Sequence, residues 1–238
     1  MPHFPFQRLQ SDLAALIASL PANSRLPSEP DLAKQLGVSR ATLREAMRMF
    51  ETQGLIRRRQ GAGTFIAGRV PVLESGLEVL ESMLTLAHRT NMDVGPGEVF
   101  IDEVPADLEC AEALCVPEGT GLVRVSRTMR AGTRPVAYLV DTQPYNVIRA
   151  EELTSKFSGS VLDFLLKRGD PLTVSRAEIT ASNASAEVAK MLEIQRGDVL
   201  LQFTAKLFTA SGSVVDFSHS YFLPGYFKFH VVRRVGKA

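Results

Sequence analysis

The segment ECAEALCVPEGTGLVRV (109–125) lies over EVAKMLEIQRGDVLLQF (187–203) at an offset of 78 residues. Glu109 falls on Glu187, Leu114 on Leu192, Gly119 on Gly197 and Leu122 on Leu200. The register runs on until Val136 meets Val214. Each copy reads as a helix, a glycine turn, a strand, a tight turn and a second strand. A helix and one hairpin cannot bury their apolar faces alone, so the two copies must share a core. Two copies are too few for a solenoid. The pattern predicts one antiparallel sheet with pseudo-twofold symmetry and helices packed on it. A pocket is expected at the seam between the halves.

The chain ahead of the repeat has another grammar. Phe6, Leu9, Leu13, Leu16, Ile17 and Leu20 recur at helical spacing, and Pro21, Asn23 and Pro27 then break the chain. Ser28 is a helix N-cap, with Pro30 and Asp31 in the first turn, and this second helix stops at Gly37. Ser39 caps a third helix, SRATLREAMRMFETQ, which ends at Gly54. Two helices joined by the short turn Gly37-Val38 form a helix-turn-helix. In the third helix Leu43, Ala46, Met47 and Phe50 share one face, while Arg40, Arg44 and Arg48 form a stripe off it. The apolar side fixes the pose, and the first turns are free to enter a major groove. An arginine there can bond a guanine edge or clamp a phosphate. Alternation in Leu55-Ile56-Arg57 and Thr64-Phe65-Ile66 predicts a hairpin with a glycine tip.

Charge divides the chain in the same place. Residues 1–68 hold nine Lys/Arg against five acids, +4, so the rest carries −3 of the total +1. Seven of the nine bases lie between residues 34 and 59, a compact cationic face suited to nucleic acid. The domains expected are 1–68 for DNA binding, 69–76 as linker and 77–238 as a second module with a different partner. With 45% hydrophobic and 22% charged residues the chain can bury a core. It shows neither a membrane-length apolar run nor a secretory leader, and two cysteines make no disulfide scaffold. A cytoplasmic protein is expected, with Cys110 and Cys115 as small buried residues.

Catalytic and cofactor motifs are missing. GAGTF (61–65) lacks the Gly-Lys-Ser/Thr ending of a phosphate loop. The four histidines form no HExxH, His219 near Asp216 is an isolated pairing, and no GxSxG occurs. We expect no cofactor, no metal and no catalytic residues.

LPSEPDLAKQLGVSRATLREAMRMFETQGLIRRRQGAGTFI (26–66) resembles the winged helix-turn-helix of GntR-type bacterial transcription regulators. The resemblance implies DNA contacts from Arg40, Thr42 and Arg44 on the recognition helix and from Gln60 and Gly61 on the wing. Ser39 would cap the helix near a phosphate. The family's basic residue after LPSE, a phosphate contact, is replaced by Pro30.

Residues 77–238 resemble the UTRA effector-binding domain, with its chorismate lyase-like fold; together the halves are similar to the HutC subfamily. The signs are the repeat, the Arg127 strand leading to Pro135, the SVLDFL helix start and the close VVDFSHSYFLPGYFKFH. An α+β chain is implied, dimeric on an inverted-repeat operator and released by a small molecule. The alternative is a lyase-like enzyme fused to a DNA-binding module. Carried over singly, the effector contacts are Arg127, Ser160 and Asp216. Where relatives hold polar groups this chain has Met129, Leu139, Leu162 and Phe222. A multiply charged sugar phosphate would lack its donors. A smaller or more apolar effector is expected, such as a monoanionic carboxylate held by Arg127 and the Ser160 helix start, with Leu162 and Phe222 as walls.

Overall fold

The computed structural model describes residues 5–59, 61–67, 73–90, 93–153, 157 and 159–233. It divides into two compact units, Met1–Val72 with Pro224–Tyr226, and Leu73–Leu223 with Phe227–Ala238.

The first unit holds α1 (Pro5–Ser19), α2 (Glu29–Gln35), α3 (Arg40–Thr52), β1 (Ile56–Arg59) and β2 (Gly63–Ile66). Leu9 and Leu13 of α1, Leu32 of α2, and Leu43, Met47 and Phe50 of α3 meet in one core, which Ile56 and Ile66 close from the hairpin. The caps are those the residue types dictate: the Ser28 hydroxyl accepts from Asp31 N–H, and that of Ser39 from Thr42 N–H. β1 and β2 pair antiparallel, Ile56 opposite Ile66. This is a winged helix-turn-helix.

The second unit opens with β3 (Leu73–Gly76), which pairs in parallel with the last strand. Residues 73–76, expected within the linker, are therefore strand, in which buried Leu73 and Ser75 alternate with exposed Glu74. Then come α4 (Met83–Arg89), β4 (Val94–Pro105), α5 (Leu108–Leu114), β5 (Gly121–Ala131) and β6 (Arg134–Pro144). A 3-10 turn (Ala150–Glu152) leads to α6 (Val161–Arg168), β7 (Leu172–Asn183), α7 (Ala186–Met191), β8 (Val199–Thr209), β9 (Val214–Phe222) and β10 (Phe227–His230). Ahead of the Ser82 cap of α4, Val79 and Leu80 remain exposed.

Six strands form the main sheet in the order β4-β5-β6-β9-β8-β7, antiparallel throughout. Exchanging β4 with β7, β5 with β8 and β6 with β9 reverses that order onto itself, which is the expected pseudo-twofold. The repeat is longer than the sequence match suggests. β4 and β7 start at 94 and 172, again 78 apart, and add a leading strand to each copy. The copies share their strain as well: Cys115 and Glu193, equivalent positions that end α5 and α7, both have positive φ, 56° and 54°. That left-handed cap turns Cys115 outward. It is exposed, contrary to expectation, while Cys110 is half-buried.

Among the described residues no helix is long and apolar enough to cross a membrane.

Candidate nucleic-acid interface and effector cleft

Helix α3 buries Leu43, Ala46, Met47 and Phe50 and leaves Arg40, Ala41, Arg44 and Glu45 exposed. Ser39 Oγ accepts from Thr42 N–H at 3.1 Å and meets Thr42 Oγ1 at 2.8 Å, so cap and first turn form one rigid corner. The arginines of the stripe differ in their neighbours. Arg44 Nε donates to Glu29 Oε2 at 2.6 Å, and Arg48 pairs with Glu45 at 2.7 Å. No carboxylate pairs with Arg40 among the described residues. Arg58 of β1 reaches both Glu29 at 3.7 Å and Glu51 at 3.5 Å. Glu29 thus ties the start of α2 to α3 and to the wing. The neighbouring Pro30 is exposed and offers no charge. Gly61 sits at the wing tip with φ +74°, and a Cβ there would meet nothing within 4 Å. The tip can approach another backbone closely. Gln60 lies outside the described residues.

In the second unit, Ser82, Met83, Leu84, Pro96, Val99, Arg127, Thr128, Met129, Leu139 and Ser160 line a narrow cleft, open to solvent at its mouth. One row of the sheet crosses it: Val99, Arg127 and Leu139 stand side by side on β4, β5 and β6. The capped starts of α4 and α6 converge above. Ser160 Oγ accepts from Asp163 N–H at 3.1 Å, and the Asp163 carboxylate accepts from Ser82 Oγ at 2.7 Å. Gly159, at φ +86°, brings bare backbone over the Arg127 stem.

Arg127 is not a free cation. Its guanidinium pairs with Asp141 of β6, and both side chains are 14% exposed. Asp216 lies on the same sheet face and accepts a hydrogen bond from Gln143 Nε2. It is buried behind the cleft and does not line it. Burial pushes its carboxyl well above the usual carboxylate range, and the charge of Asp141 adds to the shift. Among the described residues, Gln143 Oε1 is buried without a hydrogen-bond partner.

That arrangement makes stability depend on pH. A carboxyl with a raised folded-state pKa supports folding fully below its ordinary value of 3.8. The support is lost as pH climbs from there through the folded value, because the unfolded chain ionises first. Asp216→Asn cannot ionise, and its amide can donate to the orphan Gln143 Oε1. Urea unfolding from acid to neutral pH should therefore show a flatter stability profile for the variant and greater stability at neutral pH. A steeper profile would contradict this account of Asp216.

Of the residues expected in the effector site, Arg127 and Ser160 come together in the cleft. Leu162 packs instead against the cluster of Val123, Val125, Val161 and Leu165. Phe222 is buried among Phe203, Phe227 and Phe229, with ring centroids 4.8–5.2 Å away. Met129 and Leu139 do line the cleft. The sequence motifs do not point to Asp141, Ser82 or Val99. Asp141 is nevertheless legible as the next same-face residue after Leu139 on an alternating strand. His219 faces away from Asp216 and pairs with Glu109 at 3.3 Å.

Sequence comparison matches residues 6–66 to the family described as "Bacterial regulatory proteins, gntR family", and residues 99–228 to the UTRA domain. The chain is similar to the transcriptional repressor NagR of Bacillus subtilis, 29% identical over 82% of this chain and 79% of that one. It is similar to the histidine utilization repressor of Pseudomonas putida, 29% identical over 77% of this chain and 73% of that one. Its fold is like that of PhnF from Mycobacterium smegmatis, with a TM-score of 0.65 and 19% identity, over 96% of this chain and 100% of the other.

Proposed function

The chain belongs to the GntR family, HutC type, a ligand-responsive DNA-binding regulator with a UTRA domain and not an enzyme; from that premise we propose how it reads DNA and what it senses. The observation that carries the reading is α3, which sinks one face into the core and leaves Arg40 and Arg44 in solvent beneath the Ser39 corner. In our reading Arg40, Thr42 and Arg44 contact base edges and phosphates, Ser39 approaches a phosphate, and Gln60 and Gly61 contact the backbone from the wing. One such helix spans few base pairs, so a cytoplasmic homodimer on an inverted repeat supplies the second half-site. The apolar Ile179, exposed on edge strand β7, supports a surface that a second copy covers. Effector binding and operator binding are then reciprocally coupled, and the effector releases a repressor.

For the effector we propose a small, partly apolar monocarboxylate. Met83, Val99, Met129 and Leu139 supply apolar wall, and Arg127 is the single cation among the described residues lining the cleft. Because Asp141 already balances that cation, a dianion would gain little there. Thermal-shift screening tests this: small carboxylates raise the melting temperature, and sugar phosphates do not. Stronger stabilisation by sugar phosphates overturns the assignment.

A further inference from the structure

The wing carries more charge than the recognition helix explains. Residues 23–26 run along β2 and bridge to it. Asn23 N–H donates to Ile66 C=O at 3.0 Å, Ile66 N–H to Ser24 C=O at 2.8 Å, and Leu26 N–H to Thr64 C=O at 2.8 Å. Arg25 therefore stands opposite Phe65. Across β2 on the other side, Arg57 is opposite Phe65 and Arg59 opposite Gly63. Residues directly opposite, or two apart along a strand, share a face. One face of this small sheet buries Ile56, Thr64 and Ile66. The other gathers Arg25, Arg57 and Arg59 around Phe65 and Gly63, and all three arginines are exposed.

Like charges side by side on a sheet repel. The unit has carboxylates to offset them, yet these go elsewhere: Glu29 and Glu51 hold Arg58 and Arg44, and Glu45 holds Arg48. No carboxylate pairs with Arg25, Arg57 or Arg59 among the described residues. Two of them rest against uncharged neighbours. The Arg59 guanidinium lies over the Phe65 ring at 5.2 Å from its centroid. That of Arg25 lies against Gly63, where a Cβ would come within 2.8 Å of Nε. Three exposed guanidiniums without a counter-ion among the described residues, beside a wing tip, Gly61, that another backbone can approach, suit a row of phosphodiesters.

We infer that Arg25, Arg57 and Arg59 form a phosphate-backbone clamp on the outer face of the wing, supplying the positive charge that Pro30 does not. The inference rests on the DNA-binding reading. The clamp adds affinity without sequence preference, because phosphates carry no base identity.

The test uses the full chain, a duplex selected by it from a randomised pool, and a scrambled duplex of equal length. Arg25→Gln/Arg57→Gln/Arg59→Gln should weaken both duplexes by the same factor and flatten the log K against log salt slope by about three for each protomer bound. The triple Lys variant, with charge retained, should restore the slope. Far-ultraviolet circular dichroism and melting of both variants establish that they fold. Arg40→Ala, measured alongside, should lower affinity for the selected duplex alone. If Arg40→Ala acts and the Gln triple leaves the slope unchanged, the clamp is refuted while the recognition helix stands. If the triple flattens the slope and Arg40→Ala has no effect, the clamp stands and the helix assignment falls. If neither changes binding, both fall.

Discussion

Arg44→Ala lowers affinity for a selected operator duplex by about 1–3 kcal/mol at fixed salt, the cost of removing one good arginine interaction with a base. Two effects act together. The guanidinium proposed to enter the groove is gone, and Glu29, which Arg44 meets at 2.6 Å, is left with less compensation. Glu29 retains only Arg58, at 3.7 Å. Specific binding suffers more than binding to a scrambled duplex, because one phosphate interaction fewer changes the salt slope by only about one. Fold stability barely changes, since Arg44 is exposed and such pairs contribute little in water. Fluorescence anisotropy against both duplexes reads the ratio. Unchanged operator affinity would mean that α3 is not the reading helix.

What is legible in the sequence follows where packing constrains the residues. Leu114 and Leu192, Gly119 and Gly197 recur because buried contacts and tight turns tolerate few substitutes, and they expose the repeat. The leading strands are invisible for the opposite reason. β4 and β7 are mostly exposed edge strands, so VGPGEVFIDEVP and LTVSRAEITASN share spacing but little identity. The helix-turn-helix is readable because cap, apolar stripe and turn are all local. The effector cleft is only half readable. Arg127 and Ser160 stand out, but the place of Leu162 and Phe222 depends on how strands and α6 pack at long range. Asp141 escapes notice for a similar reason: its partner Arg127 is on the neighbouring strand, 14 residues away in sequence. Arg25 escapes because it joins the wing only when the loop before α2 hydrogen-bonds to β2.

Arg127→Met costs the second unit about 3–5 kcal/mol, because it strands the Asp141 carboxylate at 14% exposure with the buried Asp216 close behind it. Removing one member of a buried pair leaves an uncompensated desolvation penalty, and the second carboxyl makes it worse. Arg127→Met/Asp141→Leu removes both charges and should recover most of that loss, since buried pairs exchanged for apolar residues of similar size are often neutral in stability. The two variants separate scaffold from sensor. Both lack the guanidinium that would hold a carboxylate, so neither shows a carboxylate-induced thermal shift, although only the single variant is unstable. Urea unfolding and ligand titration on the same preparations read the two quantities independently. A loss below about 1 kcal/mol in the single variant would place the pair in effective contact with water. A carboxylate shift that survives in the folded double variant would move the ligand anchor from Arg127 to the backbone N–H groups at the start of α6, where Ser160 and Gly159 close the cleft.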